Sequence, residues 1–144
     1  MPHRAVIGLG SNMGKREFYL ALSIRLIEWE IGSVVRKSSV IETPSWGFES
    51  DPFLNQVIVV ETALEPMALL DGLQSIERRL GRTRKSTVQD GKPVYHDRTI
   101  DLDILDYDRQ QYHNERLTLP HPHIAEREFV LVSLRELGID LCTQ

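Results

Sequence analysis

Arg98-Thr99-Ile100-Asp101-Leu102-Asp103-Ile104 sets two aspartates one residue apart among evenly spaced aliphatic side chains. Ile100, Leu102 and Ile104 alternate with Asp101 and Asp103, the period of a strand with one apolar and one acidic face. Side chains at i and i+2 of a strand share a face, roughly 6–7 Å apart at the backbone. Two carboxylates about 5 Å apart repel by roughly 3 kcal/mol at an effective dielectric of about 20. A cation between them offsets that repulsion. Mg²⁺ suits the spacing, because it takes one or two carboxylates and completes its shell with water and phosphates. For an isolated D-x-D, a strand with an acidic outer face is explanation enough. The flanking sequence shifts the balance.

Just upstream, residues 82–98 read as the longest irregular stretch of the chain, a mobile loop by its length. Arg82, Arg84, Lys85, Lys92 and Arg98 against Asp90 and Asp97 give it a net charge of +3. Cations beside a Mg²⁺ pair are what a polyphosphate requires, and arginine binds phosphate oxygens in bidentate fashion. A solvated surface loop is the competing reading.

Further out, strands and helices alternate without repeats. Residues 4–9 read as a buried strand ended by Gly10-Ser11-Asn12. Residues 16–31 carry two apolar stripes, Phe18, Leu22, Leu26, Trp29 and Leu20, Ile24, Ile27, Ile31, which predicts a helix closed by Gly32 with Trp29 in the core. Residues 33–42 and 54–63 read as antiparallel strands separated by Thr43-Pro44-Ser45-Trp46-Gly47. Pro66 opens a second helix with Leu73, Ile76 and Leu80 on its stripe and Gly81 as the stop. Beyond Asp103 a polar turn over 106–115 leads to Leu119-Pro120-His121-Pro122-His123, a backbone stiffened by proline, and then an apolar run from Val130 to Leu137.

Composition bounds the reading. The chain has 144 residues, 41% of them hydrophobic and 26% charged, which fits one domain spanning 1–144 with a proper core. A net charge of −4 argues against general nucleic-acid or membrane-surface binding, so small-molecule partners are expected. The lone Cys142 can form no internal disulfide, and no apolar run approaches the length of a membrane span. Met1-Pro2-His3-Arg4 enters a strand instead of a signal-peptide core. A cytoplasmic protein, monomeric or weakly dimeric, is the expectation.

Other motifs carry less. Gly8-Leu9-Gly10-Ser11-Asn12-Met13-Gly14 misplaces the third glycine of a dinucleotide fingerprint and reads as a tight strand-to-helix turn. No G-x-x-x-x-G-K-[ST] is present. Gln74 and Glu77 share one flank of the second helix, where solvent exposure is the default. Trp46 lies on a loop and could wall an aromatic pocket. His121 and His123 lack the further ligands of a structural zinc site; one histidine donating to phosphate fits better.

In order and spacing, the pieces resemble the 6-hydroxymethyl-7,8-dihydropterin pyrophosphokinase family over nearly the whole chain. The likeness rests on G-L-G-S-N at 8–12, E-T-P-x-W-G at 42–47, F-L-N at 53–55, Q-x-x-E at 74–77, G-R-x-R at 81–84, R-T-I-D-L-D-I at 98–104 and R-L-T-L-P-H-P-H at 116–123. It implies an α+β fold, an α/β/α-type sandwich with a mostly antiparallel, ferredoxin-like sheet flanked by helices. It also implies transfer of diphosphate from ATP, as co-substrate, to a pterin alcohol with release of AMP. Two Mg²⁺ ions would sit on Asp101 and Asp103, and Arg84 and Arg98 would join these two as catalytic residues. Gln74, Glu77, Arg82, Ile104, Arg116, Thr118, His121 and Arg127 match the ATP side. Thr43, Pro44, Trp46, Phe53, Asn55, Tyr95 and Phe129 match the pterin pocket. Tyr95 stands where the family often has tryptophan, and His96-Asp97 where it commonly has Gly-Pro. Read from residues alone, another Mg²⁺-dependent nucleotidyl or phosphoryl transferase, or a ferredoxin-like ligand-binding or RNA-binding module with a chance acidic strand, stays open.

Overall fold

The buried strand read over residues 4–9 is observed as β1 (His3–Ser11), which is buried along almost its whole length. The reason is its central place. It pairs antiparallel with β4 (Phe53–Thr62) on one side and β7 (Asp101–Tyr107) on the other. With β2 (Gly32–Lys37) beyond β4, and β3 (Ile41–Thr43) also pairing β4, the order is β2-β4-β1-β7 and every pairing is antiparallel. The computed structural model describes residues 2–44, 52–81, 86–89, 92–95, 99–122, 124 and 127–140, with 86–89 and 92–95 described by their backbone alone. Trp46, Arg82, Arg84 and Arg98 lie outside these residues, as does the side chain of Tyr95.

Helices cover both faces of the sheet. Leu20 and Ile27 of α1 (Arg16–Glu30) and Leu69, Leu73 and Ile76 of α2 (Pro66–Arg79) pack with Ile7, Leu9, Ile58, Leu102 and Ile104. On the opposite face, Val130 and Leu134 of α3 (Glu128–Glu136) pack with Val6, Val57, Val59 and Leu105. The expected α+β architecture, an antiparallel sheet between helices, is the one observed.

Differences are local and have physical reasons. Trp29, expected in the core, is 73% exposed, and Phe18 is 56% exposed. Both apolar stripes of α1 cannot meet one sheet, and the line through Leu20, Ser23 and Ile27 takes the contact. Gly32 does not close the helix: Ile31 is the C-cap and Gly32 already belongs to β2. A Cβ there would lie 2.1 Å from the Glu61 carbonyl oxygen, so only glycine permits this close strand approach. Gly81, by contrast, ends α2 at φ +104° as expected. Residues 82–98, expected to be irregular, contain β5 (Ser86–Gln89) and β6 (Lys92–Tyr95), an antiparallel pair that, among the described residues, joins no other strand. Past the turn at Asp108 and Arg109, β8 (Tyr112–His113) and β9 (Thr118–Leu119) form a second small ribbon.

Candidate functional site

Strand alternation in β7 sends Leu102 and Ile104 into the α1/α2 core and leaves Asp101 and Asp103 on the face that α3 covers. Cross-strand register extends that face. Asp101 pairs with Gly10, which pairs with Asn55; Asp103 pairs with Gly8, which pairs with Val57. Directly paired residues project to the same side of a sheet, so the row runs Asp101, Gly10, Asn55. Two neighbour spacings separate its ends, about 10 Å. Glycine in the middle leaves a trough between an amide and a carboxylate. Gly10 therefore belongs to the candidate site, which the strand-to-helix-turn reading of its segment missed.

The trough has a firm wall. Asn55 is 4% exposed, and its Nδ2 donates to Thr43 Oγ1 at 2.6 Å and to the Ile41 carbonyl at 3.3 Å. A Cβ on Gly10 would stand 3.3 Å from Asn55 Oδ1 and 3.5 Å from Phe53 Cδ1. Thr43, Phe53 and Asn55 are thus brought together beside Gly10. Phe129 approaches from α3 and packs against the Val6, Val57 and Leu105 cluster. Pro44 follows Thr43 at the end of β3.

Where α3 begins, Arg127 is its N-cap residue, and its Nη1 lies 3.5 Å from Asp103 Oδ2. Asp103 is only 16% exposed, so the guanidinium offsets part of the repulsion between the paired carboxylates. Among the described residues no three His, Cys, Asp or Glu side chains converge as a metal cluster. The donor set is two carboxylates on one face. It suits a hard cation that draws its remaining ligands from water and phosphate, and it does not suit a closed protein cage.

A second recess of about 220 Å³ opens along the outer edge of β7. Gln74 and Glu77 on α2, Asp103 and Ile104 on β7, and Arg116, Thr118 and His121 beyond it line its walls. Their sequence separation is closed by specific bonds. Arg116 Nη2 donates to Gln74 Oε1 at 2.9 Å and to Asp71 Oδ1 at 2.7 Å. Asn114 Oδ1 accepts from the Arg116 and Leu117 amides at 2.8 and 2.9 Å, an Asx turn that fixes the approach of Arg116. The His121 amide donates to the Leu105 carbonyl at 2.9 Å, and His113 Nδ1 and Thr118 Oγ1 share a bond of 3.0 Å across the small ribbon. Glu77, for which exposure was the default, is 5% exposed, and its Oε2 accepts from the Leu102 amide at 2.7 Å. By strand alternation the N–H and C=O of Ile104 face outward like those of Leu102. Asp71 and Asn114 were not anticipated; Asp71 stands three residues before Gln74 on the same helix flank, the one signal available beforehand.

Comparison with known proteins follows the same outline. A model of the family described as 7,8-dihydro-6-hydroxymethylpterin-pyrophosphokinase matches residues 6–139. A 2-amino-4-hydroxy-6-hydroxymethyldihydropteridine pyrophosphokinase of Porphyromonas gingivalis is 40% identical over 134 residues, covering 92% of this chain and 88% of the relative. One of Bacillus subtilis is 41% identical over 139 residues, covering 95% and 79%. Among solved structures, Plasmodium falciparum HPPK-DHPS superposes with a TM-score of 0.72 at 16% identity, over 94% of this chain and 41% of that one. The chain thus spans less than half of that longer protein, and the likeness there is one of fold.

Proposed function

We propose, from the premise that the chain belongs to the 7,8-dihydro-6-hydroxymethylpterin-pyrophosphokinase family, a division of labour within its site. The activity is that of the family: diphosphate passes from ATP to the hydroxymethyl group of the dihydropterin, and AMP leaves, a step of folate biosynthesis. In our reading the recess along β7 takes the nucleotide and the trough beside Asn55 takes the pterin. The observation that carries it is the position of Asp101 and Asp103, which belong to the trough by their face and to the recess by their strand.

The pterin ring would lie over Gly10 between Phe53 and Phe129, with its polar edge toward Asn55 and Thr43. Because both Asn55 Nδ2 hydrogens are already engaged, Oδ1 is the atom it would present to the ring. Pro44, Trp46 and Tyr95 complete this pocket in our reading. The hydroxymethyl oxygen then points along the row toward Asp101, which would accept its proton as attack begins. The adenine edge would meet the outward N–H and C=O of Ile104, and Gln74, Arg116, Thr118 and His121 would hold the ribose and phosphates. Arg82, Arg84 and Arg98, with Arg127, would balance the charge of the transferring group. Asp101 and Asp103 would hold Mg²⁺, two ions by the family resemblance, and the metal would neutralise the phosphate oxygens during in-line displacement. The lone Cys142 supports a reducing, cytoplasmic setting.

Incubation with ATP, 6-hydroxymethyl-7,8-dihydropterin and Mg²⁺ tests the reading: AMP should appear in equal amount to pterin diphosphate. Release of ADP in place of AMP would show transfer of a single phosphoryl group. AMP and diphosphate released without added pterin would point to a hydrolase, and diphosphate released with the AMP moiety retained on an acceptor would point to a nucleotidyl transferase.

A further inference from the structure

Glu77 sits on α2, at the back of the sheet relative to the carboxylate pair, yet its side chain is buried and reaches a backbone group of β7. The amide it holds, at 2.7 Å, is that of Leu102, the residue between Asp101 and Asp103. Since β7 ends the order β2-β4-β1-β7, this N–H faces away from β1 and takes its partner from outside the sheet. Direct cation ligation is not its part: among the described residues Glu77 forms no cluster of three with Asp101 and Asp103. It meets the strand in the sheet plane while their side chains leave perpendicular to that plane.

We propose that Glu77 is a positioning residue for the Asp101 and Asp103 carboxylates. By anchoring the Leu102 amide it sets the tilt of the peptide planes on either side, and hence the aim and spacing of the two side chains those planes carry. Left alone, two like charges on one face splay apart; the anchored strand keeps them converged before a cation arrives. The inference rests on Asp101 and Asp103 being the cation ligands, and it gives Glu77 a role through the strand, with no contact to the nucleotide needed.

Glu77→Leu removes the acceptor, and Glu77→Gln keeps a carbonyl in its place. Mn²⁺ is titrated into each protein with a non-hydrolysable ATP analogue bound and followed by electron paramagnetic resonance. Exchange of the Leu102 amide is read by NMR, and analogue affinity is measured separately in EDTA. Glu77→Leu should weaken Mn²⁺ binding about 10–100-fold and deprotect Leu102, a loss larger than any in metal-free analogue affinity, while Glu77→Gln restores Mn²⁺ binding to within about threefold. Loss of metal-free analogue affinity with Mn²⁺ binding unchanged would overturn the proposal and make Glu77 a nucleotide ligand. Equal damage by Gln and Leu would overturn it as well. Should Glu77→Leu fail to fold, Glu77→Gln decides: parent-like Mn²⁺ binding and Leu102 protection support the proposal, and a loss of about tenfold overturns it. Failure of the underlying metal assignment shows separately, as Mn²⁺ binding to the analogue complex that Asp101→Asn and Asp103→Asn leave unchanged.

Discussion

Replacing Asp101 or Asp103 by Asn removes one of two like charges on the α3-facing side of β7 without changing side-chain volume. Turnover should fall below detection, and the fold should stay intact. Stability should hold or rise, because each substitution relieves the repulsion between the aspartates, and Asp103→Asn gives up only a partly exposed ion pair of small worth. Denaturant titration beside an AMP assay across a Mg²⁺ series checks this; activity equal to the parent's at every Mg²⁺ concentration would remove the metal assignment. Gly10→Ala and Asn55→Ala probe the other end of the row. The alanine methyl at residue 10 would project into the trough 3.3 Å from Asn55 Oδ1, so pterin affinity should drop while nucleotide affinity holds, as calorimetry with each ligand would show. Asn55→Ala should weaken pterin binding and also cost about 1–3 kcal/mol of stability, because Ile41 and Thr43 lose a buried partner. The second part of that expectation could not come from sequence. An amide beside a ligand is readable in F-L-N; that its hydrogens are already committed to a neighbouring strand depends on register.

Elements of marginal stability carry their own consequences. Among the described residues the β5–β6 ribbon pairs with no strand of the main sheet, and an isolated two-stranded ribbon is at best weakly stable in water. Amides of Ser86–Gln89 and Lys92–Tyr95 should therefore exchange rapidly in the free protein and slow when an ATP analogue and the pterin are both bound. Equal protection in free and bound states would mean that the ribbon is held without ligands. Its basic composition was readable, but four-residue strands bounded by polar residues give too little alternation to separate from a loop. Trp29 failed for the opposite reason: helical periodicity was clear, but two stripes competed and periodicity does not say which one meets the sheet. At the turn after β7, Asp108 accepts from the Arg4 amide and the His3 ring, both at 2.7 Å. Burial opposes its charged form, but these two partners outweigh it and hold the carboxyl below its ordinary value. A carboxyl lowered in the folded state adds stability above its unfolded value and loses that contribution as pH falls. Asp108→Asn tolerates the positive φ of 52° and removes only the charge, so it should be less stable than the parent at pH 7. The difference should shrink as pH drops through about 4 toward the lower folded value, and thermal melts at several pH values would reveal it. A gap that stays constant with pH would assign the loss to shape.

For the whole molecule, α1 serves as scaffold while α2 and α3 also carry site residues. α1 and α2 close one face with a large aliphatic cluster. α3 closes only part of the other and carries Arg127 and Phe129 to the site at its leading end. α3 is tied down at its far end, where Arg36 donates to the Leu137 carbonyl and Glu136 accepts from the Ser39 amide at 2.7 Å. Ile27→Ala and Leu134→Ala should each cost about 2–5 kcal/mol, since both side chains are almost fully buried. Well below the melting temperature, however, of the two only Leu134→Ala should lower kcat, because α3, unlike α1, bears site residues at its leading end. Matched loss of kcat in the two variants would mean that activity follows stability alone. The layer order was readable from element types, but the partition of helices between faces was not, because α2 and α3 show the same one-sided apolar pattern.

β7 meets its surroundings in two directions, in the plane of the sheet along its outer edge and perpendicular to it through Asp101 and Asp103. These directions differ by about a right angle, as for any strand. A synthetic compound joining a nucleoside fragment to a bicyclic heteroaromatic would have to turn a corner at Asp103, so the choice of linker becomes a matter of angle before length. A straight rod matched to the end-to-end distance would seat one fragment and strand the other in solvent, whereas a hinged or pre-bent connector could engage both at once.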